Sequence, residues 1–286
     1  MKNREIVEKI LSYHPHIPNY HGCDSWKAGD PEAECTGIVT ALVPTVNVIR
    51  KARALGANLL IVHEPTFYTS QDGPGWFEDF PNRVYAEKRQ LLEESGIAIW
   101  RDHDHMHFHQ PDSIFTGVLK GLGWEDRAHV DHSTGCYAHY LVNLPEMTLE
   151  ALCHHLMHSI GMNGLRYIGK PDMPVRTVAL VGHLFPEDHG LKHRDGSPAE
   201  YSVQVIKVLE EQADVIIPGE VIDWTVLSYV RDAVQQGRNK AVINLGHLNW
   251  EELGMQYAAE WIGRLVGGQV NVTYVPSEDM YQFLLP

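Results

Sequence analysis

The chain is poor in cysteine, short of positive charge and without long apolar runs. Each shortage excludes something. Its four cysteines (Cys23, Cys35, Cys136 and Cys153) lie far apart and form no CxxC pair. That points to reduced thiols rather than to disulfides or a zinc knuckle. Lysine and arginine number 23 against 37 acidic residues, for a net charge of −14. A nucleic-acid backbone needs a basic face, so nucleic acid is not an expected partner. No apolar run approaches the ~18 residues that span a bilayer, so no membrane association is expected. The opening stretch MKNREIVEKILSYH reads as an amphipathic helix with no signal-peptide core, and a cytoplasmic protein is expected. A GxxxxGK[ST] phosphate loop is also missing.

Histidine, by contrast, is abundant: 18 residues, more than the 12 tyrosines or the 7 phenylalanines, and they cluster. Histidine is the commonest protein ligand for transition metals. The 286 residues allow one large domain or two modest ones. Short apolar runs at 36–42, 57–62, 96–100, 138–144, 176–182, 214–219, 240–246 and 269–275 read as strands. Helical patterns fall at 46–56, 80–95, 112–122, 148–160, 198–212, 222–237 and 249–265. This alternation predicts βαβ units in a layered α/β fold, arranged in two halves of about 1–128 and 129–286. Two long loops, 69–79 and 183–197, have the length of functional lids.

Three of the strand patterns end in metal-type ligands. ANLLIVHEP delivers His63 and Glu64 at a strand end, where open α/β sheets place their ligands. GIAIW runs into RDHDHMHFH, with His103, Asp104, His105, His107 and His109. If that stretch stays extended, alternate histidines are ~6.6 Å apart along the strand. This is wide for three ligands to one ion, so one or two are expected, with a neighbour orienting them. His105 and His109 are expected to face solvent or to support the ligands. In INLGHLNWEELG, His247 and Glu251 are four apart at the start of a helix, a spacing that puts both on one face. If the three strands are neighbours, their tips meet at one rim. A mixed His/carboxylate set suits Zn, Mn, Fe or Co, and its size fits two divalent ions better than one.

Several segments, in this order, resemble the NIF-three-like family of dinuclear metal-centre proteins, whose bacterial members are often labelled GTP cyclohydrolase I type 2 homologues. They are DSWKAG (24–29), TGIVTALVPTVNVIRKARALGANLLIVHEPTFY (36–68), GIAIWRDHDHMHFHQPDSIFTGVLKGLGWE (96–125), PGEVID (218–223) and LGHLNWEELG (245–254). The resemblance implies an α/β fold of two similar halves, with mixed β-sheets flanked by helices. It implies a homohexameric assembly with metal sites facing a central cavity. It also carries ligands over: His63 and Glu64 fall on a His-His-Pro signature, with a carboxylate in place of the second imidazole. His103 falls on the next signature histidine, and His107 on the family's bridging aspartate, a role open to Asp104 or Glu64 in this chain. His247 and Glu251 match the last signature.

The implied function is a metal-dependent hydrolase with a dinuclear centre, acting on a small-molecule substrate, with nucleotides of the GTP cyclohydrolase kind as the named candidates. The competing reading is a metal-binding or regulatory assembly without turnover. A third, the HxHxDH run of metallo-β-lactamase-like hydrolases, lacks its Asp-His here, because Phe108-His109 stands in that place.

Overall fold

The computed structural model describes residues 1–73, 77, 79–134, 139–186, 190–193 and 195–284. Parts of both long loops, together with Ala138 of the 138–144 strand pattern and Cys136, lie outside the described residues. The chain forms two compact units, Met1–Val118 with Glu251–Glu278, and Leu119–Trp250 with Asp279–Pro286.

The first unit is built on a five-stranded sheet. Its order is β1 (Trp26–Ala28), β4 (Ala98–Arg101), β3 (Leu59–Val62), β2 (Ile38–Ala41) and β11 (Val272–Tyr274). Strands β2, β3, β4 and β11 run parallel, and β1 is an antiparallel edge. Every residue of β2, β3 and β4 is buried. Strands covered on both faces read as continuous apolar runs, which is why these were visible in the sequence. Val39, Leu60 and Ile99 pack against Val48, Ile49 and Ala52 of α2 (Val46–Ala54) and Leu92 of α3 (Arg83–Ser95). Side-chain caps start these helices: Thr45 Oγ1 accepts from Val48 N and Asn82 Oδ1 accepts from Tyr85 N. Gly96, at φ +63°, ends α3 in the left-handed conformation that glycine adopts most easily.

The second unit carries a six-stranded mixed sheet. Its order is β5 (Ala128–Asp131), β6 (His139–Thr148), β8 (Pro174–Leu180), β9 (Val215–Ile217), β10 (Ala241–Asn244) and β7 (Arg166–Ile168). Strands β8, β9 and β10 are parallel and the remainder antiparallel. Ala179, Ile216 and Val242 pack against Val205, Val208 and Leu209 of α7 (Tyr201–Glu211) and Val230 of α8 (Ser228–Gln235). Two mixed sheets flanked by helices match the expected α/β class. Among the described residues, no helix is long and apolar enough to cross a membrane.

Candidate metal centre

Register brings two of the three strand ends together. β3 and β4 are parallel neighbours, with Val62 opposite Arg101. The next residues, His63 and Asp102, therefore leave the sheet side by side. β10, which precedes His247, belongs to the other sheet, so the three strands are not neighbours in one sheet.

The histidine-rich run is helical rather than extended. After His103 comes α4 (Asp104–Phe108). One buried carboxylate holds this turn. Asp24 Oδ1 accepts from the backbone N–H groups of His103 (2.7 Å) and Asp104 (3.0 Å), and Oδ2 accepts from that of His105 (2.9 Å). An acid at a helix start satisfies its open N–H groups and suits the helix dipole. Helical geometry puts His103 and His107, four apart, on one face. It turns His105 inward, where its Nδ1 lies 2.7 Å from Asp24 Oδ2. His105 is thus buried rather than solvent-facing. His109 is half-buried, stacked on Tyr13, with Nδ1 3.2 Å from His14 Nδ1.

His63, His103 and His107 form one group whose ligand atoms all lie within 4.8 Å of each other. His63, Glu64 and Glu251 form a second. His63, fully buried, belongs to both. Its Nε2 is 3.1 Å from His107 Nε2 and 3.6 Å from Glu251 Oε2. Glu251 reaches it from α9 (His247–Leu265). Glu64 is accompanied by the buried Arg101, whose Nη2 is 3.7 Å from Glu64 Oε2 and whose Nε donates to the His63 carbonyl.

Each imidazole has an oxygen partner on Nδ1. For His63 it is the Asp102 carbonyl (3.1 Å), for His103 Asp104 Oδ1 (2.8 Å), and for His107 Asp112 Oδ2 (2.8 Å). A carbonyl or carboxylate only accepts, so the Nδ1 atoms carry the protons and the Nε2 atoms present lone pairs. The Nε2 atoms of His63 and His107 then face each other at hydrogen-bond distance beside a buried carboxylate. That arrangement calls for positive charge between them, a proton or a cation. This donor set fits a divalent transition metal.

Asp104 is heavily engaged. Besides His103 it accepts from Tyr20 Oη (2.7 Å) and Cys23 N (3.2 Å). The His103 contact, with Tyr20 and Cys23 N, holds its carboxyl well below the usual carboxylate range, against the opposing effect of burial. Cys23, His103 and Asp104 form a further group, but burial pushes the Cys23 thiol up to about 12, which keeps it protonated at neutral pH. Asp24, Asp102 and His105 form a fourth group behind α4, with His14 Nε2 3.2 Å from Asp102 Oδ2.

In the second unit, His247 Nδ1 is 3.2 Å from Glu220 Oε1, and its ring meets His183 edge-on at 4.6 Å. His183 Nδ1 accepts from Glu220 N. Asp24, Asp102, Asp112 and His183 join these clusters without having stood out as candidates in the sequence. Asp112 had a local signal, an Asp opening an apolar helical pattern five residues after a histidine. The others are identified only by long-range contacts.

An α/β chain of two sheet-based units, with imidazoles and carboxylates gathered beyond parallel strand ends, defines a class of candidate metal-binding proteins. This chain belongs to the Duf34/NIF3 (NGG1p interacting factor 3) family, whose model matches residues 25–280. It is 25% identical over 262 residues to a Clostridium perfringens protein called a GTP cyclohydrolase 1 type 2 homolog, covering 88% of this chain and 87% of that one. Its fold is similar to that of a Bacillus cereus protein related to NIF3, with a TM-score of 0.71 at 15% identity over 100% of this chain and 99% of that one. A Staphylococcus aureus hypothetical protein gives 0.69 at 15% identity, covering 99% of both chains.

Proposed function

We propose that this protein is a metal-dependent hydrolase of small molecules, with its centre on His63, His103 and His107 and with Glu64 and Glu251 completing the set. The observation that carries the proposal is the convergence of imidazoles whose Nδ1 atoms are each tied to an oxygen. The two groups overlap at His63, whose one free nitrogen, Nε2, can serve a single ion; Glu64 and Glu251 would be the carboxylates left to hold a second. A divalent transition metal held by these residues would supply Lewis acidity and lower the pKa of a bound water.

The remaining residues hold the set in place. Asp112, Asp104 and the Asp102 carbonyl fix the tautomer and orientation of the imidazoles. With its oxygens taken by Tyr20, Cys23 N and His103, Asp104 acts as an orienting group in this account rather than as the bridging ligand. Arg101 offsets the charge of Glu64 and holds the loop that follows β3 through the His63 and Ser70 carbonyls. Glu64 and Glu251, where not engaged in holding a cation, are the carboxylates placed to move protons.

The name carried by the Clostridium perfringens relative makes purine nucleotides the first substrates to assay, followed by phosphoesters and cyclic amides. Purified protein loaded in turn with Zn, Mn, Fe and Co is expected to hydrolyse one of these classes. Glu251→Gln is expected to lower turnover at least a hundredfold. Full metal content with no turnover on any class would contradict the hydrolase reading and favour a metal-binding assembly without catalysis.

A further inference from the structure

The second unit holds a cavity of about 660 Å³ that uses none of the residues discussed for the metal centre. That volume is within the ~300–1,000 Å³ of small-molecule sites. Its floor is the β7–β10 end of the six-stranded sheet. The β7–β10 register sets Arg166 opposite Asn244 and Ile168 opposite Val242, so alternation puts these four on one face. Its wall is the start of α8, with Leu227, Ser228 and Arg231, preceded by Asp223. Tyr167, on the edge strand and 40% exposed, lines it too. A neighbouring cavity of about 400 Å³ shares Leu165, Arg166 and Asn244 with it.

Two guanidinium groups face this space, and neither has a side-chain partner among the described residues. Elsewhere on this acidic surface, arginines sit against carboxylates: Arg4 on Glu32, Arg89 on Glu93, Arg176 on Glu146. Arg166 and Arg231 instead leave two planar forks and two positive charges at one cavity with apolar walls. A guanidinium matches the oxygens of phosphate or carboxylate in paired hydrogen bonds. Asp223, in the same wall, would repel a bare anion but accept from a hydroxyl or ammonium group next to it.

We propose that this cavity binds a small organic dianion, with Arg166 and Arg231 gripping the charged end and Leu165, Ile168, Leu227 and Val242 covering an apolar body. A phosphate monoester and a dicarboxylate share this chemistry. Calorimetric titration of the full chain with phenyl phosphate, succinate and inorganic phosphate separates them. The expected result is saturable binding of one organic dianion per chain, tighter than inorganic phosphate and weakened by added salt. The tighter of phenyl phosphate and succinate identifies the head group. Arg166→Gln and Arg231→Gln should each weaken binding at least tenfold. Arg231→Lys should fail to restore it, because an ammonium lacks the fork. Metal content and thermal midpoint should stay unchanged in all three variants, since both side chains are exposed and unpaired. Absence of saturable binding by all three probes, or binding untouched by both glutamine variants, would overturn the proposal.

Discussion

Asp112 uses its two oxygens differently, and this allows the orienting role to be separated from the structural one. Oδ2 holds His107 Nδ1, while Oδ1 accepts from the N–H groups of Ile114 (2.9 Å) and Phe115 (3.0 Å) at the start of α5 (Ser113–Leu122). Asparagine keeps a carbonyl for the helix but offers an amide N–H to the imidazole. Asp112→Asn is therefore expected to retain the fold and lose about ten- to a hundredfold in metal affinity, read by competitive chelator titration. Lys88 is a second residue with a measurable signature. It is almost fully buried, donates to the Thr66 carbonyl at 2.6 Å, and has its pKa lowered by burial to about 8. Between about pH 8 and 10.5 the unfolded chain holds a proton there that the folded chain does not. Stability should then rise with pH across that window, by up to about 3 kcal/mol. Denaturant titrations at pH 7.5 and 9.5 should show this rise in the wild type and its loss in Lys88→Met. At this scale His63, His103 and His107 were legible, because a histidine at a strand end is a local pattern. Asp24 and Asp102 were not: their roles lie in contacts with chain 39 to 88 residues away.

The difference at element scale lies in α4. Alternating histidines suggest an extended run, yet Asp24 gathers three consecutive N–H groups and turns the segment into a helix. Nothing local to 103–109 encodes this, since the cap comes from 79 residues upstream. β2, β3, β4, β9 and β10 were legible because burial on both faces writes itself as apolar runs. Edge strands β1, β5 and β7, three or four residues long and partly exposed, left no such pattern. One helix crossing positions site residues directly. α5 meets α9 where Gly117 and Gly254 face each other: a Cβ on Gly117 would stand 2.6 Å from Gly254 Cα and 2.7 Å from the Leu253 carbonyl. α5 begins just after Asp112, and Glu251 lies one turn before Gly254. Gly117→Ala should cost about 1–3 kcal/mol by denaturant unfolding. It should also weaken metal binding, which an exposed glycine such as Gly56 changed to alanine should not.

On the scale of the molecule, the last helix and β11 return to the first unit, so Glu251 joins residues nearly two hundred positions earlier in the chain. A ligand that binds only the folded state adds RT ln(1 + [L]/Kd), about 2.7 kcal/mol at a hundredfold excess over Kd. Chelation should accordingly lower the thermal midpoint of metal-loaded protein, and His63→Ala should abolish the difference. Trp224, Tyr281 and Leu284 are exposed at 67%, 75% and 99%, apolar surface that suits the homo-oligomer implied by family resemblance. Sedimentation is expected to give a multiple of 32.4 kDa, and a monomer would contradict that assembly. The central claim is that a metal ion sits among His63, His103, His107 and Glu251. Anomalous diffraction from crystals of the purified protein, recorded on both sides of the metal's absorption edge, tests it most directly. The account predicts a peak within bonding distance of the His63 and His107 Nε2 atoms. A crystal of metal-supplemented protein with no peak there, or with its peaks only at other residues, would contradict it.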